Sequence, residues 1–130
     1  MKTVHTVVII EDNPIDVFIN TKVIQQADLA EEILPFNSAR EALNYLTNCA
    51  ELGSMPPELI ILDIRMPDMD GFDFLEVFET LSDNLKQYIK IVMLSSSLDP
   101  IDESRALSYS SVVSFISKPL TRDKILQFPE

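Results

Sequence analysis

The chain has 130 residues, a formal net charge of −11 and 46% hydrophobic residues, which describes one globular domain and excludes a disordered acidic segment. Its ten basic residues are scattered, which argues against direct nucleic-acid binding, because that needs a basic patch to displace counterions. No apolar run approaches the roughly 20 residues of a membrane span, and Val7 to Ile10 is closed by carboxylates where a signal peptide would be cleaved, so the expectation is a cytoplasmic protein with no membrane contact.

Thr6 to Ile10 is rich in β-branched residues and reads as a buried strand that runs into Glu11-Asp12. Asn13 as N-cap, Pro14 at the first helical position and Asp16 in the first turn open a helix of about three turns. Ile15, Phe18, Ile19, Val23 and Ile24 recur at helical spacing and supply its apolar face. Glu32 to Phe36 is a weaker strand, which Pro35 assigns to a sheet edge. Ser38-Ala39-Arg40-Glu41 has the capping-box pattern ahead of a helix with Ala42, Leu43, Tyr45 and Leu46 on its apolar face. Residues 47 to 58, with Asn48, Gly53, Ser54, Pro56 and Pro57, read as a long loop; the lone Cys49 has no internal disulfide partner and reads as a small apolar side chain.

Leu59-Ile60-Ile61-Leu62 is an unbroken apolar run, the mark of a strand buried on both faces, and it ends in Asp63. Phe72, Phe74, Leu75, Phe78 and Leu81 mark a third helix, with residues 82 to 90 its extension or a loop. Ile91 to Leu94 is a fourth strand that runs into Ser95-Ser96-Ser97. Asp99-Pro100 opens a helix that passes through Ala106 and Leu107 to about Ser110. Val112 to Ile116 is a fifth strand leading into Ser117-Lys118-Pro119, and Thr121 to about Phe128 leaves room for a short last helix.

Strands alternating with helices predict a three-layer α/β fold, a parallel sheet with helices on both faces and right-handed crossovers. In the flavodoxin-like, doubly wound order 2-1-3-4-5, strands one and three are neighbours, and ligands bind outside the carboxyl ends of the strands at that switch point. Glu11, Asp12, Asp63, Ser95 and Lys118 all follow strand ends, so this order brings Asp12 and Asp63 together with Glu11 nearby. Three carboxylates in one cleft call for a hard cation; Mg²⁺ takes oxygen ligands and is typically shared with phosphate. A metal, the Lys118 ammonium and the Ser95 hydroxyl around one carboxylate suit an aspartyl-phosphate intermediate.

With Glu11-Asp12, Asp63 followed by Met66-Pro67 and Gly71, Ser95, Phe115 and Lys118-Pro119 in order, the whole chain resembles the receiver domains of two-component response regulators. The resemblance implies that Asp63 accepts a phosphoryl group from a sensor histidine kinase or a histidine phosphotransfer protein. It implies Mg²⁺ held by Asp12, Asp63 and the Arg65 carbonyl, with Glu11 bound through water. Lys118 pairs with the phosphoryl oxygens, Ser95 hydrogen-bonds the phosphoryl group and moves toward it, Phe115 is an aromatic switch, and the Lys118-Pro119 peptide is cis. Arg65 and Ser97 stand where members of the family tune phosphoryl lifetime. Ser95 stands where most members have threonine, and the usual glycine before the fifth strand is absent. The expectation is a single-domain regulator of the chemotaxis type with no output domain, weak autodephosphorylation and a downstream protein target met by the fourth helix, fifth strand and last helix; homodimer formation stays open.

Two other readings compete. One is a Mg²⁺-dependent, phosphatase-like enzyme with an aspartyl nucleophile; against it, Arg65 stands two residues after Asp63, where a second carboxylate would suit general acid work. The other is a binding module that is never phosphorylated, which has no need of Asp12, Asp63, Ser95 and Lys118 together. Asp68 and Asp70 read as turn residues rather than calcium ligands, because a calcium loop with Gly71 as its sixth position would place Met66 first and Val77 twelfth.

Overall fold

The computed structural model describes residues 4–126, and the predicted end of the last helix at Phe128 lies outside them. The strands are β1 (Val4–Ile10), β2 (Ala30–Phe36), β3 (Leu59–Asp63), β4 (Lys90–Ser95) and β5 (Val112–Ser117). The helices are α1 (Pro14–Gln26), α2 (Ala39–Leu52), α3 (Gly71–Phe78), α4 (Asp83–Tyr88), α5 (Pro100–Leu107) and α6 (Arg122–Leu126). The five strands form one parallel sheet in the order β2-β1-β3-β4-β5. This is the flavodoxin-like, doubly wound arrangement that the alternation predicts, and Pro35 does lie on an edge strand.

Strand side chains alternate between two cores. Val8, Ile10, Ile60, Leu62, Ile91, Met93 and Val112 join Leu43, Leu46, Phe74, Phe78 and Ala106 from α2, α3 and α5. Val7, Ile9, Leu59, Ile61, Val92, Leu94 and Ile116 face the other way, onto Ile24 of α1 and Ile125 of α6. Leu59 to Leu62 are all buried, each apolar side chain contributing about 1.5–3 kcal/mol of transfer free energy, so β3 is the stiffest mount in the sheet.

Three elements depart from the sequence reading. In α1, Ile15 and Phe18 are 69% and 62% exposed, and the buried face instead carries Asn20 and Ile24. The helix turns about 100° per residue, so a phase that aims Asp16 and Asn20 inward puts Phe18 about 200° from Asp16 and out into solvent. In α2 the helix runs through the expected loop to Leu52: Cys49 continues the stripe of Ala42 and Leu46, and Gly53, at φ +70°, is the left-handed cap that accommodates the stop. Between α3 and β4, Ser82 accepts the Leu85 N–H at 3.3 Å and starts the separate helix α4, which buries Leu85. In addition, α5 ends at Leu107 rather than near Ser110.

The turn after β3 fits closely against it. Asp70 and Asp73 form a reciprocal capping box at the start of α3, with bonds of 2.9 and 3.1 Å. Asp68 has a left-handed φ of +68°, so both aspartates serve the turn. Gly71 donates its N–H to the Ile64 carbonyl at 2.8 Å, and a Cβ on it would stand 2.8 Å from the Asp63 carbonyl oxygen. Only a glycine lets α3 begin this close to Asp63.

Candidate functional site

Register decides what meets at the carboxyl edge of the sheet. Ile10 pairs with Leu62, so Glu11 and Asp63 emerge side by side from β1 and β3. One carboxylate oxygen from each of Glu11, Asp12 and Asp63 lies within 4.8 Å of the others. Glu11 and Asp63 are buried and Asp12 is exposed. Asp12 is free of capping duty, because the Asn13 side chain accepts the Ile15 and Asp16 N–H groups at 2.8 and 3.3 Å.

Lys118 closes the cluster from β5. Its Nζ is 2.8 Å from Asp63 Oδ1, 2.9 Å from Asp16 Oδ2 and 3.1 Å from Glu11 Oε1. Its backbone N–H donates to the Ser95 carbonyl at 2.7 Å, and the Lys118-Pro119 peptide is cis. Lys124 of α6 braces both sides of this residue, donating to the Ser117 carbonyl at 2.8 Å and the Pro119 carbonyl at 3.1 Å.

The charges tell how loaded the site is. Burial, and then the charge of Asp63, pushes Glu11 up to about 7 against the pull of Lys118. Burial likewise raises Asp63; the Lys118 hydrogen bond opposes this, and the charges of Asp12 and Asp16 add to it. Burial would lower Lys118, but its hydrogen bonds to Asp63 and Asp16 outweigh that and hold the ammonium above its ordinary range. Four carboxylates thus share one ammonium. An all-oxygen donor set with surplus negative charge fits a hard cation such as Mg²⁺.

The remaining expected residues stand apart from this knot. The Ser95 hydroxyl donates to the Ser97 carbonyl and accepts the Ser97 N–H at 3.1 Å, so it is folded onto its own loop. Phe115 is half-buried against the first core and pairs with Met93 in register. Arg65 is exposed and reaches Asp102 of α5 at 3.5 Å, while Ser97 is exposed. Asp16 and Lys124 are the residues that sequence reasoning missed. The signal for Asp16 was there: it stands four residues after Asp12, on the first turn of the helix that leaves the site.

Residues 7–128 match the response regulator receiver domain family. The chain belongs to that family. It is 30% identical over 123 residues to the transcriptional regulatory protein AruR of Pseudomonas aeruginosa, an alignment that covers 92% of this chain and 46% of that protein. The chain therefore spans about half the length of that curated relative. A two-component response regulator from Cytophaga hutchinsonii superposes with a TM-score of 0.89 at 32% identity, covering 97% of this chain and 94% of the other. A response regulator receiver protein from Dyadobacter fermentans gives 0.80 at 27% identity, covering 97% and 99%. Receiver domains are phosphorylation-dependent signalling switches of two-component systems, and they interact with histidine kinases or phosphotransfer proteins. Among the described residues, no helix is long and apolar enough to cross a membrane.

Proposed function

We propose that this receiver domain takes a phosphoryl group on Asp63 from a phosphohistidine of a sensor kinase or phosphotransfer protein, and passes the signal on by protein contacts in the cytoplasm. The observation that carries the reading is the Lys118 ammonium at 2.8 Å from Asp63 Oδ1, inside the Glu11, Asp12 and Asp63 cluster.

In the step itself a carboxylate oxygen of Asp63 forms a bond to phosphorus and the histidine N–P bond breaks. The electron pair of that bond leaves with the imidazole, which takes a proton. Asp12, Asp63 and the Arg65 carbonyl would hold Mg²⁺, with Glu11 bound through water; when bound it supplies charge neutralisation for carboxylates and phosphoryl oxygens alike. Lys118 offers an N–H to a phosphoryl oxygen at the place where charge accumulates. Asp63 sits at the end of a fully buried strand, which keeps the nucleophile from drifting.

Acceptance adds roughly −1.5 to −2 charges and strong acceptor oxygens. The Ser95 hydroxyl then has a better partner than its own loop, and leaving Ser97 for the phosphoryl group shifts the end of β4. Phe115, half-buried beside that strand, has room to turn inward as Ser95 leaves. The face of α5, β5 and α6 would then present the result to a downstream protein. Arg65 and Ser97 flank the phosphoryl position and would set its lifetime, with slow autodephosphorylation as the return step.

Incubation with Mg²⁺ and a small phosphoramidate, followed by intact mass measurement, tests the reading. The expected result is one acid-labile phosphoryl adduct that is absent from Asp63→Asn. An adduct that survives this substitution, or no adduct at all, overturns the assignment.

A further inference from the structure

A protonated lysine has three N–H donors, and in Lys118 all three have a carboxylate: Asp63, Asp16 and Glu11. Two of these three belong to the cluster that fits a cation, Glu11 and Asp63; Asp16 does not. A cation held by that cluster draws on the same oxygens and the same charge that Lys118 uses. Asp16 is then the one lysine partner with no second duty. It is also well anchored, on the first turn of α1, where its own N–H is held by the Asn13 cap.

Lys118 needs an anchor because it has somewhere else to go. A cavity of about 280 Å³ opens beside the ammonium, lined by Asp16, Ile19, Asn20, Ser96, Lys118 and Leu120. Asn20 in its wall is 3% exposed, and its Nδ2 has no hydrogen-bond partner. That gives the cavity a polar side toward which a flexible lysine stem can turn. Asp63 does not line this space, so a lysine that swings into it leaves the phosphoacceptor.

We propose that Asp16 is a positioning residue for phosphoryl acceptance: it keeps the Lys118 ammonium beside Asp63 when a cation has claimed Glu11 and Asp63, leaving one N–H free for the incoming phosphoryl oxygen. The inference rests on the acceptor role proposed for Asp63 and adds to it a residue outside the motif set of the family resemblance. It also accounts for the phase of α1, which turns Asp16 to the site at the expense of exposing Ile15 and Phe18.

The test compares the parent chain with Asp16→Ala and Asp16→Asn at saturating Mg²⁺, with phosphoramidate as donor. Three quantities are read: the rate of adduct formation, the Mg²⁺ affinity by titration calorimetry, and the side-chain ammonium resonance of Lys118 in the unphosphorylated, Mg²⁺-loaded protein. Asp16→Ala is expected to slow acceptance about tenfold, the value of one charge-assisted hydrogen bond, while Asp16→Asn, which keeps an acceptor oxygen, stays within about threefold of the parent. Mg²⁺ affinity holds in both, and the Lys118 resonance moves to the position of a free surface lysine only in Asp16→Ala. Asp16→Ser, too short to reach the ammonium, replaces Asp16→Ala if the latter fails to fold. An unchanged or faster rate in Asp16→Ala overturns the proposal. So does an Asp16→Asn as slow as Asp16→Ala, or a loss of Mg²⁺ affinity in step with the rate, since either makes Asp16 a source of charge rather than a positioner. A parent that accepts no phosphoryl group overturns the acceptor reading instead, and the Lys118 resonance still tests the positioning.

Discussion

The two sides of Asp63 are in different states. Toward β1 and α1, Glu11, Asp16 and Lys118 are already bonded to one another and to Asp63. Toward β4 and α5, the Ser95 hydroxyl is occupied by its own loop, and Arg65 points across solvent to Asp102. One side is assembled before any phosphoryl group arrives; the other has its hydrogen bonds satisfied elsewhere and must exchange them. A switch needs this asymmetry. If both sides were preset, acceptance would change nothing; if neither were, the nucleophile would have no fixed surroundings and acceptance would be slow.

The largest effect that probes the contrast is expected at Lys118. Lys118→Met keeps the stem and removes the charge, and it should slow acceptance from phosphoramidate by about a hundredfold or more. A rate near that of the parent would mean that the assembled side is not what receives the group. Next comes Gly71→Ala, where the new Cβ would sit 2.8 Å from the Asp63 carbonyl oxygen. Overpacking of this kind costs about 1–3 kcal/mol, read as a lower urea midpoint with unchanged slope. An unshifted midpoint would show that α3 can back away from β3 at no cost.

A smaller effect is expected on the other side. Ser95→Ala should leave the acceptance rate within about threefold, since the hydroxyl does not yet touch Asp63, but should abolish the phosphorylation-induced NMR shifts at Phe115. Shifts that persist would detach Phe115 from Ser95. The mildest test is pH. Glu11 is raised from an ordinary 4.5 to about 7, so between those values the folded metal-free protein binds more protons than the unfolded chain. The stability tied to that proton is fully present below 4.5 and is lost as pH rises to about 7. Urea midpoints of the metal-free protein should show this decline, Glu11→Gln should flatten it, and Mg²⁺, which favours the ionised carboxylates, should oppose it. A decline of the same size in Glu11→Gln would assign it to other groups.

Much of this was legible in the chain because strands buried on both faces leave unbroken apolar runs. Each such run points at the residue after it: Ile10 at Glu11, Leu62 at Asp63, Leu94 at Ser95. Strand order then brought Asp12 and Asp63 together with no side-chain information. What stayed hidden depends on helix phase. The apolar residues of α1 recur at helical spacing whichever face is counted, and nothing local says that a polar contact, Asp16 with Lys118, will choose the face. In α2, Asn48 and Gly53 look like loop residues until Cys49 is recognised as the next buried position, and Gly53 as the cap. The orientation of Ser95 was equally out of reach, since a hydroxyl among three serines can serve its own turn or the site.

One contact bears on when the domain becomes competent at all. The bond from Lys118 to Glu11 joins residues 107 positions apart, so the ammonium reaches the site only after nearly the whole domain has been synthesised and its last strand has docked. A half-made or partly unfolded chain has the nucleophile but not the charge that equips it. Competence to receive the signal is therefore itself a report of complete folding, and damaged copies drop out of the competition for phosphoryl groups without any separate device to exclude them.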